Sequence, residues 1–220
     1  MLNKINQFRT LLFALILIFS SAYLAHAAET GKLAIKSGNI RMDGLANKGE
    51  SSQHDWDATY SKMSLETEFA LNSAPKDAAV LFNESPQMKK FILTLDVDDV
   101  NTTKSPGFMF KRYYFESMKQ GEFKTIVFAA SKYSALPDKS DKNRYIVSMT
   151  GTLKIAGVEK SIVIDLIAAV SEKTVTISGA KVIDMTDFGI KPPKMDFPKK
   201  SYVDSKATLK LYIVAALEKK

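Results

Sequence analysis

YIVSMTGTLKI, residues 145–155, places Val147, Met149, Gly151 and Leu153 on one parity and Ser148, Thr150, Thr152 and Lys154 on the other. A period of two is the mark of a strand with one face in an apolar interior and one in water. The same alternation continues outward. Ile162, Ile164 and Leu166 stand opposite Asp165, and Val175, Ile177 and Ile183 follow with mostly polar residues between them. Ala207, Leu209, Leu211 and Ile213 then alternate with Lys206, Thr208 and Lys210. The connections at 156–160 and 171–173 are short, so sequence neighbours pair as hairpins. Four long strands in a row over residues 144–215 predict a closed antiparallel barrel, and an apolar lining makes a barrel of this size a container.

Upstream, residues 33–42 start a first strand, and 55–71 contain a second with Met63, Leu65, Phe69 and Leu71 on one parity. Residues 72–90 are polar and broken by Pro75 and Pro86, which reads as a connection with room for a helical turn at 77–83. Phe91, Leu93, Leu95 and Val97 alternate as a further strand, and Ile126 and Phe128 share one face of another. Residues 104–120 break the pattern. Phe110, Tyr114 and Met118 fall four apart, with Phe108 and Phe115 seven apart, so this stretch is the one main helix. Ser105 is its expected cap, Pro106 its first residue and Gly121 its end.

The first 27 residues read as a secretory address. Lys4 and Arg9 form a positive region, residues 11–19 are an unbroken apolar run, and Ala25-His26-Ala27 is a small-x-small cleavage site. The run is well short of the roughly 20 residues that a spanning helix needs, so no stable membrane anchor is expected after cleavage. Export to the periplasm follows as the expected localisation, with 28–220 as one barrel domain. The chain has no cysteine, hence neither a lipid-anchoring cysteine nor a disulfide.

Composition closes off most chemistry. Loss of Lys4 and Arg9 with the leader lowers the formal net charge from +7 to +5. The remaining arginines are Arg41, Arg112 and Arg144, and the lysines are spread along the chain. Base reading favours arginine forks and clustered charge, so a nucleic-acid partner is not expected. Lys191, Lys194, Lys199 and Lys200 offer a mild positive patch near the last strand. Downstream of the leader His54 is the one histidine, which argues against a zinc site and leaves a serine triad one candidate base without a nucleophile elbow. The acidic run 96–101 lacks the glycine and the ligand spacing of a calcium loop. No metal, cofactor or catalytic residue is expected.

His54-Asp55-Trp56 is the sharpest polar cluster. Its structural reading is a strand entry in which His54 or Asp55 caps nearby backbone and Trp56 seals one end of the barrel; its functional reading is contact with a ligand head group. In Asp187-Phe188-Gly189-Ile190-Lys191-Pro192-Pro193, Gly189 supplies a permissive backbone, Asp187 is the expected cap, and the prolines end pairing.

Three of these segments carry a family resemblance. Gly151-Thr152-Leu153-Lys154-Ile155-Ala156-Gly157-Val158-Glu159-Lys160, the Asp187-Phe188-Gly189-Ile190 turn before a final strand, and Ser51-Ser52-Gln53-His54-Asp55-Trp56 together resemble the YceI-like family of lipocalin-like, polyisoprenoid-binding proteins. The resemblance spans roughly residues 31–217, strongest in the C-terminal half and loosest over 72–90. It implies an eight-stranded barrel with a helix across its mouth, a long isoprenoid lipid inside, and no catalytic residues.

The expected fold is therefore all-β, an eight-stranded antiparallel lipocalin-like barrel with one main helix. The expected function is that of an exported, non-enzymatic carrier of a polyisoprenoid or isoprenoid quinone. Burial of each methylene in such a lining gains about 0.8 kcal/mol, so tight binding needs no specific polar site. The expected lining is Phe69, Phe91, Leu93, Leu95, Phe128, Met149, Leu153, Ile164, Leu166, Leu209 and Leu211, with Phe108, Tyr114 and Phe115 at the lid. A one-residue slip would invert that parity. Two alternatives stand beside the carrier: an envelope interaction protein whose barrel is filled by its own side chains, and a lipid-modifying enzyme using His54 with a carboxylate. Self-association into a homodimer is compatible with the sequence.

Overall fold

A computed structural model describes residues 29–71, 77–83, 87–104, 107–195 and 201–219. The leader, Ser105, Pro106, Lys199 and Lys200 lie outside these, and with them the expectations placed on them. Ten strands follow in chain order: β1 (Glu29–Ala46), β2 (His54–Tyr60), β3 (Met63–Leu71), β4 (Gln87–Asp96), β5 (Thr125–Asp138), β6 (Asp141–Ile155), β7 (Val158–Ser171), β8 (Thr174–Asp184), β9 (Lys194–Met195) and β10 (Ser201–Lys219). Two α-helices join them, α1 (Val80–Asn83) and α2 (Gly107–Met118).

The sheet runs β1-β3-β4-β5-β6-β7-β8-β10 and closes because β1 also pairs with β10. All of these pairings are antiparallel. The expected eight-stranded barrel is thus present. Closure removes the free sheet edges that an open antiparallel sheet must hide. Inward parity also matches the expectation: Val147, Met149 and Leu153 are buried on β6, as are Ile164 and Leu166 on β7. The β6–β7 hairpin turns in two residues, Ala156 and Gly157, both with positive φ (47° and 82°). That is the primed turn whose twist matches the strands it joins. A side chain on Gly157 would meet the Phe123 ring at 2.4 Å, so the turn takes glycine for space as well as for φ.

The second expected strand is two. β2 and β3 hold one register against β1, Ile40↔Tyr60 at one end and Gly31↔Phe69 at the other, but break at Ser61-Lys62. Between those points β1 and β3 are not paired, apart from the Leu33 N–H that donates to Thr67 Oγ1 at 2.6 Å. The two amides freed at the break, Ser61 and Lys62, both donate to one carboxylate oxygen of Asp99, at 2.7 and 2.5 Å. The acidic run of 96–101 therefore works as backbone capping, since Asp96 likewise accepts from the Asp98 N–H.

One end of the barrel is plugged. The connection over residues 72–90 is shorter than its composition indicates, because β4 begins at Gln87, and its helical turn α1 folds in under the strands. Leu81 is 1% exposed, Phe82 stacks on Tyr145 at 4.9 Å, the Ala78 N–H donates to Glu172 O, and the Tyr133 hydroxyl donates to Leu81 O. The other end, the mouth, carries α2. This helix ends at Lys119 (φ 50°), with Gln120 N–H to Phe115 O and Lys119 N–H to Glu116 O, the paired bonds of a Schellman cap. Lysine rather than the expected Gly121 takes the left-handed position.

Candidate functional site: an apolar cavity under the lid helix

β2 sets up the mouth. Trp56 sits across from Gly44 on β1, and a side chain at Gly44 would stand 2.4 Å from the indole, so glycine there is the seat of the ring. Trp56 is 8% exposed and lies 6.4 Å from Phe110 of α2. Phe110 stacks on Tyr114 at 5.7 Å, and Tyr114 meets Phe115 edge-on. The Tyr114 hydroxyl lies 2.7 Å from that of Tyr60, joining lid to barrel. Burial pushes both phenols above their ordinary value, so both are neutral at physiological pH.

The next residue of β2 anchors the approach to α2. Asp57 is fully buried and accepts from the Thr102 and Thr103 hydroxyls and from the Thr103 and Lys104 N–H groups. Arg41 Nη2 adds a charge at 3.6 Å. Burial pushes the Asp57 carboxyl up, but those hydrogen bonds and Arg41 outweigh it and hold the group below its ordinary value. Segment 102–104, which leads toward α2, is thereby fastened to the wall.

Between α2 and the rim lies a cavity of about 440 Å³. Trp56, Phe110, Tyr114 and Met118 face the 3₁₀ turn Met185–Phe188 and the loop after it, whose Met185, Phe188 and Ile190 complete the lining. That turn is capped by Asp184, which accepts from the Thr186 N–H, and not by Asp187, which is exposed. Gly189, expected as a permissive backbone position, adopts the left-handed conformation at φ 68°. Below the mouth the barrel axis holds a cavity of about 60 Å³, and near the plug one of about 30 Å³. Met42, Ile155 and Ile183 line both the mouth and the axial cavity; Phe91, Met149, Leu166 and Ile177 line both the axial and the plugged one. The three lie end to end, separated only by side chains.

Among the expected lining residues, Phe91, Leu93, Leu95, Phe128, Met149, Leu153, Ile164, Leu166, Leu209 and Leu211 face the axial cavity. Phe69 lines the plugged end and Tyr114 the mouth. Phe115 packs half-buried beside Tyr114, and the Phe108 side chain lies outside the description. His54 stands at the rim of the mouth, its Nδ1–H donating to Ser52 O at 3.0 Å, while Asp55 pairs with Lys104. Tyr60, Met42, Ile155, Ile183 and Met185 were not expected in the lining, and Phe188 and Ile190 were expected only as parts of a structural turn. Their apolar spacing after β8 was the available signal. Lys191 and Lys194 are exposed, with Lys194 at the cavity edge. Among the described residues no three His, Asp or Glu side chains gather in a way that could hold a metal ion.

An eight-stranded antiparallel barrel with an apolar interior opening beneath a lid helix has the architecture of a lipocalin-like barrel. More narrowly, the chain belongs to the YceI-like family, whose domain matches residues 29–215. Solved structures agree on the fold. BcnA of Burkholderia cenocepacia superposes with a TM-score of 0.54 at 15% identity, over 80% of this chain and 95% of its own. A polyisoprenoid binding domain from Saccharophagus degradans gives 0.51 at 9% identity, over 88% of this chain and 100% of its own. A mutant of the Campylobacter jejuni YCEI protein gives 0.50 at 22% identity, covering 74% of this chain and 85% of its own. No protein of curated function matches the sequence.

Proposed function

We propose that this chain is an exported, non-enzymatic carrier that holds a long-chain apolar lipid, a polyisoprenoid or isoprenoid quinone, in its barrel. The leader-like first 27 residues support delivery to the periplasm. The observation that carries the reading is the run of apolar cavities from the lid to the plug. The mouth cavity alone, about 440 Å³, falls within the ordinary range of small-molecule sites. Met42 and Met149 are among the side chains that separate the cavities, and methionine turns aside readily to admit a chain. A polyisoprenoid binding domain among the structural neighbours points to the same ligand class.

The narrowness of the axial cavity, about 60 Å³, favours a second reading, an envelope interaction protein with a filled barrel. Mass spectrometry of organic extracts from protein purified out of its native compartment decides between the two. The carrier reading expects near-stoichiometric long-chain lipid. Lipid-free protein that also takes up no prenyl chain in solution supports the filled barrel instead.

A further inference from the structure

We propose that the Tyr60–Tyr114 hydroxyl pair is a head-group site that receives a neutral oxygen acceptor, such as a carbonyl, on the lipid held in the cavity. This deepens the carrier reading and rests on it.

Two phenols bring two O–H protons, and their mutual bond of 2.7 Å uses one. The second proton finds no acceptor among the described residues, although Tyr60 is 0% and Tyr114 9% exposed. A buried donor left unmade is costly, so the site is complete only with an acceptor supplied from outside. Tyr60 lines the axial cavity and Tyr114 the mouth cavity, so the pair stands where the two meet. On the mouth wall the Trp56 Nε1–H is buried without a partner but lies against Gly44 of β1, away from the cavity. The tyrosine pair thus offers its spare donor to a cavity otherwise walled by Phe110, Met118, Ile155 and Ile183.

Neutrality follows from the surroundings. Burial keeps both phenols protonated, so they remain donors without contributing charge. An anion drawn to their depth would lose its water, and the one cation of the axial lining, Lys181, keeps its side chain partly in solvent. Lys194 and His54, the basic side chains lining the mouth cavity, stand exposed at its rim, where an anionic head would stay hydrated. The pair therefore selects a lipid that can bury its oxygen, and leaves a phosphate-headed one outside.

The test uses the delipidated mature chain and three probes: geranylgeranyl methyl ketone, the matching hydrocarbon with methylene in place of the carbonyl, and geranylgeranyl phosphate. The ketone is expected to bind about fivefold tighter than the hydrocarbon, the gain of one net hydrogen bond. Its infrared carbonyl band is expected to shift to lower wavenumber on binding. In the Tyr60→Phe/Tyr114→Phe double variant both the preference and the shift should vanish while hydrocarbon binding persists. Equal binding of ketone and hydrocarbon, an unshifted band, a preference that survives the double substitution, or phosphate bound as tightly as ketone each overturns the head-group site. Should the double variant fail to fold, the carbonyl band on the wild-type protein decides alone. If no probe binds, the carrier reading falls and takes this site with it; equal binding of ketone and hydrocarbon removes this site only.

Discussion

The plugged end and the mouth of this barrel are both covered by helices, yet one is packed solid and the other is not. At the plug, α1 contributes Leu81 at 1% exposure, Phe82 stacks on Tyr145, and the remaining cavity is about 30 Å³. At the mouth, α2 stands off the rim over about 440 Å³. Aromatic residues serve both ends, so composition does not set the difference. What differs is where they are held. Val80, Leu81 and Phe82 of α1 dock directly among strand side chains, whereas α2 is fixed through Asp57 and Tyr60 and leaves the space between those anchors open. An end closed by filling contributes stability; an end closed by spanning leaves room for a guest.

The contrast breaks most directly at Leu81. Leu81→Ala should lower the free energy of unfolding by about 2–5 kcal/mol, the usual cost of a cavity at a solidly packed site. Chemical denaturation measures it, and a loss under 1 kcal/mol would show the plug to be as slack as the mouth. Next in size is the mouth's anchor. Asp57→Ala strands the Thr103 and Lys104 N–H groups and should cost about 2–3 kcal/mol. This contribution depends on pH with a definite sign. Because the folded carboxyl is held below its ordinary value, its stabilisation is fully present above the unfolded value of about 3.9 and is lost as pH falls through the depressed folded value. Unfolding midpoints between about pH 5 and 2 should therefore fall more steeply for wild type than for Asp57→Asn. Parallel curves would detach the carboxylate from the lid. The finest discrimination comes from one change made at both ends. Ala168→Phe, in the plugged lining, should overpack and cost about 1–3 kcal/mol, while Ser117→Phe, in the mouth lining, should stay within about 0.5 kcal/mol and displace bound lipid. Equal costs would make the two ends equivalent.

The barrel was legible because its signal is periodic and local. Alternation over 145–155 and 207–213 fixes both strand and inward face, and ten of the expected lining residues face the axial cavity. The mouth was legible only in part. Tyr114 follows from helical spacing, but its partner Tyr60 is 54 positions away and belongs to a strand whose break at Ser61-Lys62 carries no breaker residue. Asp57 looked like one more polar strand residue beside Asp55, and only the return of 102–104 makes it a buried acceptor for four donors. Asp184 rather than Asp187 caps the turn after β8, a difference of three positions that depends on where β8 stops. Pairing across long sequence separations, not residue type, hid these.

The interruption between β1 and β3 bears on how the molecule moves. A closed barrel has no free edge from which to unravel, yet here β1 and β3 touch as a ladder only at Gly31 and before, while β2 takes over from Ile40. In between, the Leu33–Thr67 bond bridges the gap, and β1 carries a bulge at Lys36 on its opposite side, where it pairs with β10. Opening a wall requires breaking its ladder bonds, and along this line most of them are absent from the start. The barrel thus has a built-in seam running beside the lid anchors. Transient parting there, far easier than between β6 and β7 with their unbroken ladder from Arg144 to Ile155, would widen the interior sideways while Asp57 and Asp99 keep the mouth in place.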